Sequence, residues 1–303
     1  MNDTKKGIVI EDPMSDFEIG DGFLFKIIGS ILSDALNTPD TVSNWDFFQG
    51  ALMSLVLLKN GESHIKGTAF LVAPGVALTA KHIISDYIDD LSDGKISVCC
   101  IGVKQDCLAI WNIQSVSCSN DNDIAILSLI ATSKIPNDRT FFQFGISTRT
   151  PKPGENIHIV GYREDSSIQE NNSVRFFANV FAAQGVVENV FPKQRDNSFI
   201  NFPAIELKCG AIGGMSGGVA LDQNGLVIGI VSSSFETEDK CGPTYVSWII
   251  SVLNMKFTPV WPRGLYSQQT TLINIDKRLV YIDKRSAISE INDDNFIYSI
   301  WFE

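Results

Sequence analysis

The chain has 303 residues, of which 44% are hydrophobic and 19% are charged, as in an ordinary folded protein that can bury a large core. Its 24 Lys and Arg residues stand against 35 Asp and Glu residues, which gives a net charge of −11. An acidic chain without a basic cluster binds phosphate backbones poorly, so we expect no nucleic-acid partner.

Residues 1–20 are polar and acidic, and we expect them to form a mobile arm. They lack the long apolar run and the small-residue cleavage site of a secretory signal, and no apolar run in the chain is long enough to span a bilayer. These features predict a cytoplasmic protein with reduced cysteines and no membrane partner. The cysteines between Cys99 and Cys118 lack the paired spacing of a zinc site, so we expect no metal.

The first predicted element is an amphipathic helix over residues 23–36. Apolar side chains recur there at spacings of three and four, at Phe25, Ile28, Leu32 and Leu36. The turn-forming residues 37–40 would end this helix.

From about residue 50 the pattern changes to short apolar runs that are bounded by Gly, Asn, Asp or Pro. The runs cover 51–58, 67–73, 96–103, 123–130, 156–162, 174–187, 202–208, 225–233 and 243–250. Many short strands at regular spacing indicate an all-β sandwich or barrel rather than a doubly wound α/β sheet. Residues 152–154 mark a seam between two halves, and the spacing over 245–253 is compatible with a closing helix.

The tail of the chain, residues 255–303, carries a small repeat: Ile-Asp-Lys-Arg occurs at 275–278 and again at 282–285. Apolar runs precede the second copy and lie near the end of the chain, so the tail is predicted to form a hairpin and a last strand. The tail is either an extra sheet packed on the core or a regulatory flap.

Three short segments carry the residue types of nucleophilic catalysis. Thr-Ala-Lys-His over 79–82 ends a strand-like run on His82, Asp123 opens an apolar run, and Ser216 lies among the glycines of 213–218. A serine hydroxyl is a weak nucleophile that needs a base, and a neutral imidazole oriented by a carboxylate suits that task. Glycines allow backbone N–H groups to converge on a developing oxyanion.

Each segment alone is typical of ordinary structure, but together, in the order His, Asp, Ser, they match one of the three chain orders known for this triad. Asp121 is an alternative to Asp123, although only Asp123 directly precedes the strand. The remaining histidines, His64 and His158, are expected to be structural or surface residues. Two other functions stay open, a catalytically silent binding module and a small-ester hydrolase, but the hydrolase would place its histidine last.

The motifs resemble those of the trypsin-like (chymotrypsin-fold) serine peptidases, in particular bacterial members such as the high-temperature-requirement proteases, here without a PDZ module. The family patterns T-A-x-H, D-I-A-L-L, G-x-S-G-G and G-I-V-S match this chain at 79–82, 123–127 (here D-I-A-I-L), 214–218 and 229–232. The resemblance implies two six-stranded antiparallel β-barrels of the chymotrypsin type with a C-terminal helix. It also implies a serine endopeptidase that cuts protein or peptide substrates through an acyl-enzyme and needs no cofactor.

The resemblance assigns roles to individual residues. It makes His82, Asp123 and Ser216 the catalytic triad, gives the oxyanion hole to the N–H groups of Gly214 and Ser216, and pairs Ser232 with the triad carboxylate. The pocket for the residue before the scissile bond is expected at Gly210, Ala211, Ser233, Ser234 and Pro243. None of these is acidic, so we expect a small or medium apolar residue there rather than Lys or Arg.

Several positions depart from the family pattern. Met215 stands where secreted members carry an aspartate that pairs with a newly cut N-terminus, so that activation route is absent. Lys81 replaces a small residue, and Cys209 and Cys241, which fall near a disulfide of secreted members, are expected to be reduced. Control of the enzyme is then expected from narrow specificity, a regulatory partner protein or an internal gate.

The expected organisation is an N-terminal arm and helix over 1–46, a peptidase domain over 47–254 with barrels at about 47–152 and 153–254, and a C-terminal β extension over 255–303.

Overall fold

The computed structural model describes residues 24–28, 38–42, 48–59, 62–104, 107–133, 140–170, 173–235, 242–266, 268–283, 288–292 and 295–298. The predicted N-terminal arm over 1–20 lies outside the described residues.

The start of the described chain corrects the predicted helix over 23–36. Leu24–Ile27 form strand β1, which pairs in parallel with the strand Thr140–Gln143. Phe25 and Ile28 are buried as predicted, but their spacing of three suits a short strand end as well as a helix turn. The partner strand, distant in sequence, decides between the two, and the rest of the predicted helix lies outside the described residues.

Six antiparallel strands form the first closed barrel. They are β3 (Leu52–Lys59), β4 (Glu62–Ala73), β5 (Val76–Ala80), β6 (Ser97–Lys104), β7 (Cys107–Cys118) and β8 (Ile124–Ala131), and they close in the order β3-β4-β5-β8-β7-β6. Two short helices, α1 (His82–Ser85) and α2 (Ile88–Ser92), follow β5. β5 is buried at every position, which explains its lack of polar alternation. A second short strand, β2 (Asp40–Thr41), precedes the barrel in the chain.

The second barrel follows β9 (Thr140–Gln143), the partner of β1. Its strands are β10 (Asn156–Glu170), β11 (Ser173–Phe191), β12 (Ala204–Lys208), β13 (Val219–Leu221), β14 (Val227–Ser234) and β15 (Thr244–Trp248). They run in the order β10-β13-β14-β15-β12-β11, and pairing of β10 with β11 closes the ring. β2 adds to the edge of β11. The predicted all-β fold with two six-stranded antiparallel barrels is confirmed.

The closing helix is shorter than the spacing over 245–253 predicted. Residues 244–248 are strand β15, paired on both sides with β12 and β14, so only one 3₁₀ turn at Ile249–Val252 remains. β7 and β13 were absent from the predicted strands. β13 has only three residues, and β7 mixes polar with apolar residues because its side chains are only partly buried.

The C-terminal segment, which we define as residues 257–283, packs against the first barrel and the linker between the barrels. It contains one 3₁₀ turn, Leu272–Asn274, rather than the predicted sheet, and Ile282 forms only an isolated bridge to Ile146. Trp261 packs edge-to-face on Trp111, with 5.0 Å between ring centroids. A hairpin does follow, formed by β16 (Ile288–Asn292) and β17 (Asn295–Tyr298).

The linker between the barrels is fixed by an ion cluster. Arg149 Nη1 donates to Glu155 at 2.8 Å, and Arg149 Nε donates to the fully buried Asp222 at 3.1 Å. Burial alone would raise the pKa of Glu155. The hydrogen bonds from Arg149 and from the Lys152 N–H outweigh that effect and hold the pKa below its usual range.

Candidate active site

His82 and Asp123 are brought together by the adjacent ends of two paired strands. β5 and β8 pair Ala80 with Ile124, so the residue after β5 and the residue before β8 lie side by side. The Lys81 N–H donates to the Asp123 carbonyl at 3.1 Å. The His82 N–H donates to Asp123 Oδ1 at 2.9 Å. Backbone pairing therefore sets the position of both residues before their side chains interact.

The side chains of His82 and Asp123 then form the hydrogen bond that a triad requires. His82 Nδ1 lies 2.8 Å from Asp123 Oδ2, and the Asp123 residue is only 8% exposed. An ionised carboxylate accepts only, so this contact places a proton on Nδ1 and leaves Nε2 as the acceptor of the neutral ring. The His82 side chain is 45% exposed, so part of the ring is open to solvent.

Ser232 serves the site through a β-bulge. The register between β14 and β15 shifts between Val231 and Ser233, which leaves Ser232 outside the ladder. Its hydroxyl donates to Asp123 Oδ2 in a short hydrogen bond, and its carbonyl accepts from Ser216 Oγ at 3.3 Å. The structure thus brings Ser232 to the carboxylate, where the resemblance expected it.

Ser216 lies at the end of a tight turn over residues 212–216, which we call the oxyanion turn. The Met215 N–H donates to the Ile212 carbonyl at 3.1 Å, and Gly214 has a φ of +99°. A bonded turn with positive φ at its third residue is of type II, a conformation that favours glycine there.

Carbonyl groups at the end of the oxyanion turn accept hydrogen bonds, whereas the N–H groups beside them that could face a substrate do not donate any among the described residues. The Met215 carbonyl accepts from the Gly218 N–H at 2.9 Å, and the Ser216 carbonyl accepts from the Thr68 N–H at 2.8 Å. The N–H groups of Gly214 and Ser216 donate to no residue that the structure describes. Two such amides on one turn are the donors that an oxyanion hole needs.

One contact of a working triad is not formed. Ser216 Oγ is bonded to the Ser232 carbonyl, and within the described ranges His82 Nε2 has no hydrogen bond. Catalytic hydrogen bonds in ligand-free sites are often unformed until substrate binds.

A hydrogen bond joins the two segments that carry the predicted pocket residues. The Ser234 hydroxyl donates to the Ala211 carbonyl at 3.0 Å. The Phe235 N–H donates to the Pro243 carbonyl at 3.1 Å, so Pro243 also lies beside the segment that carries Ser234. Gly210 and Ala211 are buried.

A cavity of about 390 Å³ opens beside His82, Asp123 and Ser232. Of the five predicted pocket residues only Ser233 lines it. Lys81 of the 79–82 motif also lines it, and the remaining lining residues lie outside the motifs: Ser85, Asn120, Asn122, Phe199, Asn201 and Phe202. The loop before β12 that supplies Phe199 has no periodicity, and a 75% exposed Phe199 is the one unusual signal in it.

Other candidate residues lie away from the triad. Asp121 is exposed and bonds Ser119, so it does not replace Asp123. His64 is exposed beside Glu62, and His158 is buried on β10, where burial lowers its pKa.

The structure also shows the surroundings of Lys81, which precedes His82, and of the cysteines that it describes. Lys81 Nζ donates to the Ser119 carbonyl at 2.7 Å, so this side chain is tied to the loop before Asp123. Burial raises the pKa of Cys99 to about 11, so this thiol is a poor nucleophile. Cys209 is buried against Gly185, and its suggested partner Cys241 lies outside the described residues.

Comparison with known proteins gives a family. A model of the trypsin-like peptidase domain matches residues 67–230, more than half of the 303-residue chain. The chain therefore belongs to the trypsin-like peptidase domain family, as the motifs suggested. The matched range contains His82, Asp123 and Ser216. A search of the curated proteins found no match.

Several solved structures are similar. The active form of the Rv3671c protease from M. tuberculosis is 15% identical, with 73% of this chain and 87% of that chain covered and a TM-score of 0.46. The MamO protease domain from Magnetospirillum magneticum is 12% identical, with 68% and 95% covered and a TM-score of 0.46. Deg5 is 17% identical, with 65% and 83% covered and a TM-score of 0.44.

Two searches of the described part of the chain returned nothing. It holds no group of three or more His, Cys, Asp or Glu residues placed to bind a metal ion. None of its helices combines the length and apolar composition needed to cross a membrane.

Proposed function

We propose that this protein is a serine endopeptidase in which Ser216 is the nucleophile, His82 the general base and Asp123 the orienting carboxylate. The observation that carries the proposal is the 2.8 Å contact of His82 Nδ1 with a buried Asp123, beside a turn that leaves two N–H groups available. A buried carboxylate fixes the ring tautomer and stabilises the imidazolium that forms during the reaction.

The proposed reaction follows from these groups. Ser216 Oγ attacks the scissile carbonyl carbon while its proton moves to His82 Nε2. The carbonyl oxygen becomes an oxyanion that accepts hydrogen bonds from the N–H groups of Gly214 and Ser216. His82 then gives the proton to the leaving amine, the C–N bond breaks, and an ester on Ser216 remains. Water, deprotonated by His82, hydrolyses that ester and restores the hydroxyl.

The pocket supports a preference for a small apolar residue before the scissile bond. The Ser234 hydroxyl and the Ala211 carbonyl lie 3.0 Å apart across the pocket, so a long side chain cannot pass between them without breaking that bond. No acidic residue stands at Gly210 or Ala211 to pair with Lys or Arg. Lys208 is exposed at the end of β12 rather than in the pocket.

The test is covalent labelling of the full chain with a fluorophosphonate, followed by peptide mapping. We expect attachment at Ser216 in the wild type, none in Ser216→Ala, and a rate lowered by about 10⁴–10⁶ in His82→Ala, since triad members act as a unit. His64→Ala is the matched control. Among the described residues this exposed histidine has an ion-pair contact with Glu62 alone, so its substitution should leave labelling unchanged.

The alternative, a catalytically silent binding module, makes the opposite prediction. The hydrogen bond of Ser216 Oγ to the Ser232 carbonyl is the observation in its favour, because it holds the hydroxyl away from the base. A folded wild-type chain that never labels and cleaves no peptide in a denatured proteome would support the module and overturn the proposal.

A further inference from the structure

Thr68, on β4, is a fully buried residue outside the three catalytic segments, and it contacts both the oxyanion turn and the strand that leads to His82. Its N–H donates to the Ser216 carbonyl at 2.8 Å, and its own carbonyl accepts from the Thr79 hydroxyl at 2.6 Å. Thr79 lies on β5, three residues before His82. The backbone of Thr68 therefore links the serine to the strand that carries the base.

The Thr68 hydroxyl makes two further contacts. It accepts from the Tyr162 N–H at 2.7 Å and lies 3.4 Å from the Gly214 carbonyl, to which it donates. A hydroxyl has one donor and two acceptor positions, so both contacts can be made at once. Because Tyr162 is on β10 and Thr68 on β4, this one oxygen joins the two barrels at the oxyanion turn.

The oxyanion turn needs such support because its backbone is unusually free. Gly213 and Gly214 are adjacent glycines, and a turn of this sequence can exchange between type I and type II by rotating its central peptide. That rotation reverses the direction of the Gly214 N–H. The turn seen here is type II, with φ of +99° at Gly214. The Gly214 carbonyl belongs to the peptide that follows the rotating one, and its contact with the Thr68 hydroxyl anchors that end of the turn.

Packing agrees with the hydrogen bonds. A methyl group added at Gly214 would meet the Tyr162 carbonyl and the Arg163 Cα at 3.1 Å, so the turn is pressed against β10. A methyl group added at Gly67 would lie 2.8 Å from the Ser216 carbonyl, so the turn is equally close to β4. The oxyanion turn is therefore packed between β4 and β10, which leaves it little space to move.

We infer that the Thr68 hydroxyl is a positioning group, which anchors the peptide after Gly214 and so holds the oxyanion turn where its Gly214 and Ser216 N–H groups can stabilise the transition state. The inference rests on the proposed peptidase function. Thr68 touches no substrate atom and acts only through the turn. Loss of a whole oxyanion donor costs about 10²–10³ in rate, and loosening of the turn should cost less, about tenfold.

The test compares Thr68→Val, which keeps the shape but removes the hydroxyl, with Thr68→Ser, which keeps the hydroxyl. Both retain the N–H bond to the Ser216 carbonyl. The matched control is Ser128→Ala, which loses a buried hydroxyl bond of 2.8 Å to the Thr258 carbonyl at the far end of β8. Each full-length variant is measured for its thermal melt, its rate of fluorophosphonate labelling, and kcat and KM on a peptide that the wild type cleaves.

We expect labelling and kcat to fall about tenfold in Thr68→Val with KM within about twofold of the wild type, the pattern of an interaction used in the transition state. Thr68→Ser should restore the rate, and Ser128→Ala should lower the melting temperature while it labels like the wild type. Should Thr68→Val not fold, Thr68→Cys replaces it, because a thiol is a weaker hydrogen-bonding group and should slow labelling in the same direction.

A Thr68→Val or Thr68→Cys variant that labels as fast as the wild type would overturn the inference. A rate that falls equally in Thr68→Ser would also overturn it, because the hydroxyl would then not be the cause. If the wild type itself neither labels nor cleaves, the proposed peptidase function has failed, and that result is distinct from a failure of Thr68 alone.

Discussion

Trp261→Ala tests whether the C-terminal segment is part of the core or a gate over the site. Trp261 is 4% exposed, and its ring lies 5.0 Å from Trp111, 5.5 Å from Phe141 and 6.2 Å from Phe25, measured between centroids. Truncation of a buried Trp costs about 3–5 kcal/mol, and three aromatic partners place this one in the upper half of that range. Because 1 kcal/mol shifts Tm by about 2–4 °C in a protein of this size, we expect Tm to fall by roughly 10 °C.

The assay is a thermal melt and a urea titration of the full chain, together with the fluorophosphonate labelling rate per folded molecule. Val260→Ala is the matched control, because Val260 is 38% exposed and next to Trp261 in the chain. We expect it to change stability by less than about 0.5 kcal/mol, as exposed positions usually do. A Trp261→Ala variant that melts like the wild type but labels several times faster would show that the segment is a gate and that our reasoning is wrong.

Two further variants test the pocket and the linker. Ser234→Gly removes the hydrogen bond to Ala211 that closes the pocket, so kcat/KM for a peptide with Phe before the scissile bond should rise about tenfold relative to one with Ala; an unchanged ratio in peptide-library cleavage would refute the pocket assignment. In the folded state the pKa of Glu155 is held below its usual range. Its ion pair with Arg149 therefore stabilises the fold at pH values above the ordinary Glu pKa of about 4.3. That stabilisation is lost as the pH falls through the lower pKa of the folded state. The Tm difference between wild type and Glu155→Gln should therefore be largest near pH 7 and shrink below about pH 4, and a difference that is constant with pH would contradict this linkage.

Much of the geometry around the candidate triad could be predicted because it depends on strand ends. His82 directly follows a buried strand and Asp123 directly precedes one, so pairing of those strands is enough to bring the two residues together. For both residues a local pattern fixes the strand, and the strand fixes the residue. Ser232 differs, because it lies at a bulge inside β14 and was expected beside the carboxylate only from the resemblance.

The parts that could not be predicted depend on partners that are distant in sequence. Phe25 and Ile28 fit a helix pattern, but their backbone pairs with β9, more than one hundred residues away in the chain. The same holds for the loop that brings Phe199 to the cavity, since no local pattern says which wall it will cover. Thr68 was missed because its role depends on two oxygen contacts across the barrel interface.

The position of the C-terminal segment also limits how it could control the proposed enzyme. A segment biases a two-state equilibrium only through contacts that differ between the two states. Its hydrogen bonds to the two strands that position His82 and Asp123 fall on Pro74, just before β5, and on Ser128 of β8, away from the ends that carry the two residues. At about 3.3 Å per residue, the five residues of β5 separate the two ends by roughly 16 Å.

The hydrogen bond that we expect to order the oxyanion turn comes instead from Thr68 on β4 to the Gly214 carbonyl. Tyr162 on β10 supports it by donating its N–H to the Thr68 hydroxyl. The C-terminal segment can reach them only through the stability of the first barrel as a whole. Removing its packing should therefore lower activity only in proportion to the fraction of molecules that remain folded, and the labelling rate per folded molecule should stay at the wild-type value. A labelling rate that changes while the folded fraction does not would require a direct path from Trp261 to the turn, which the contacts described above do not provide.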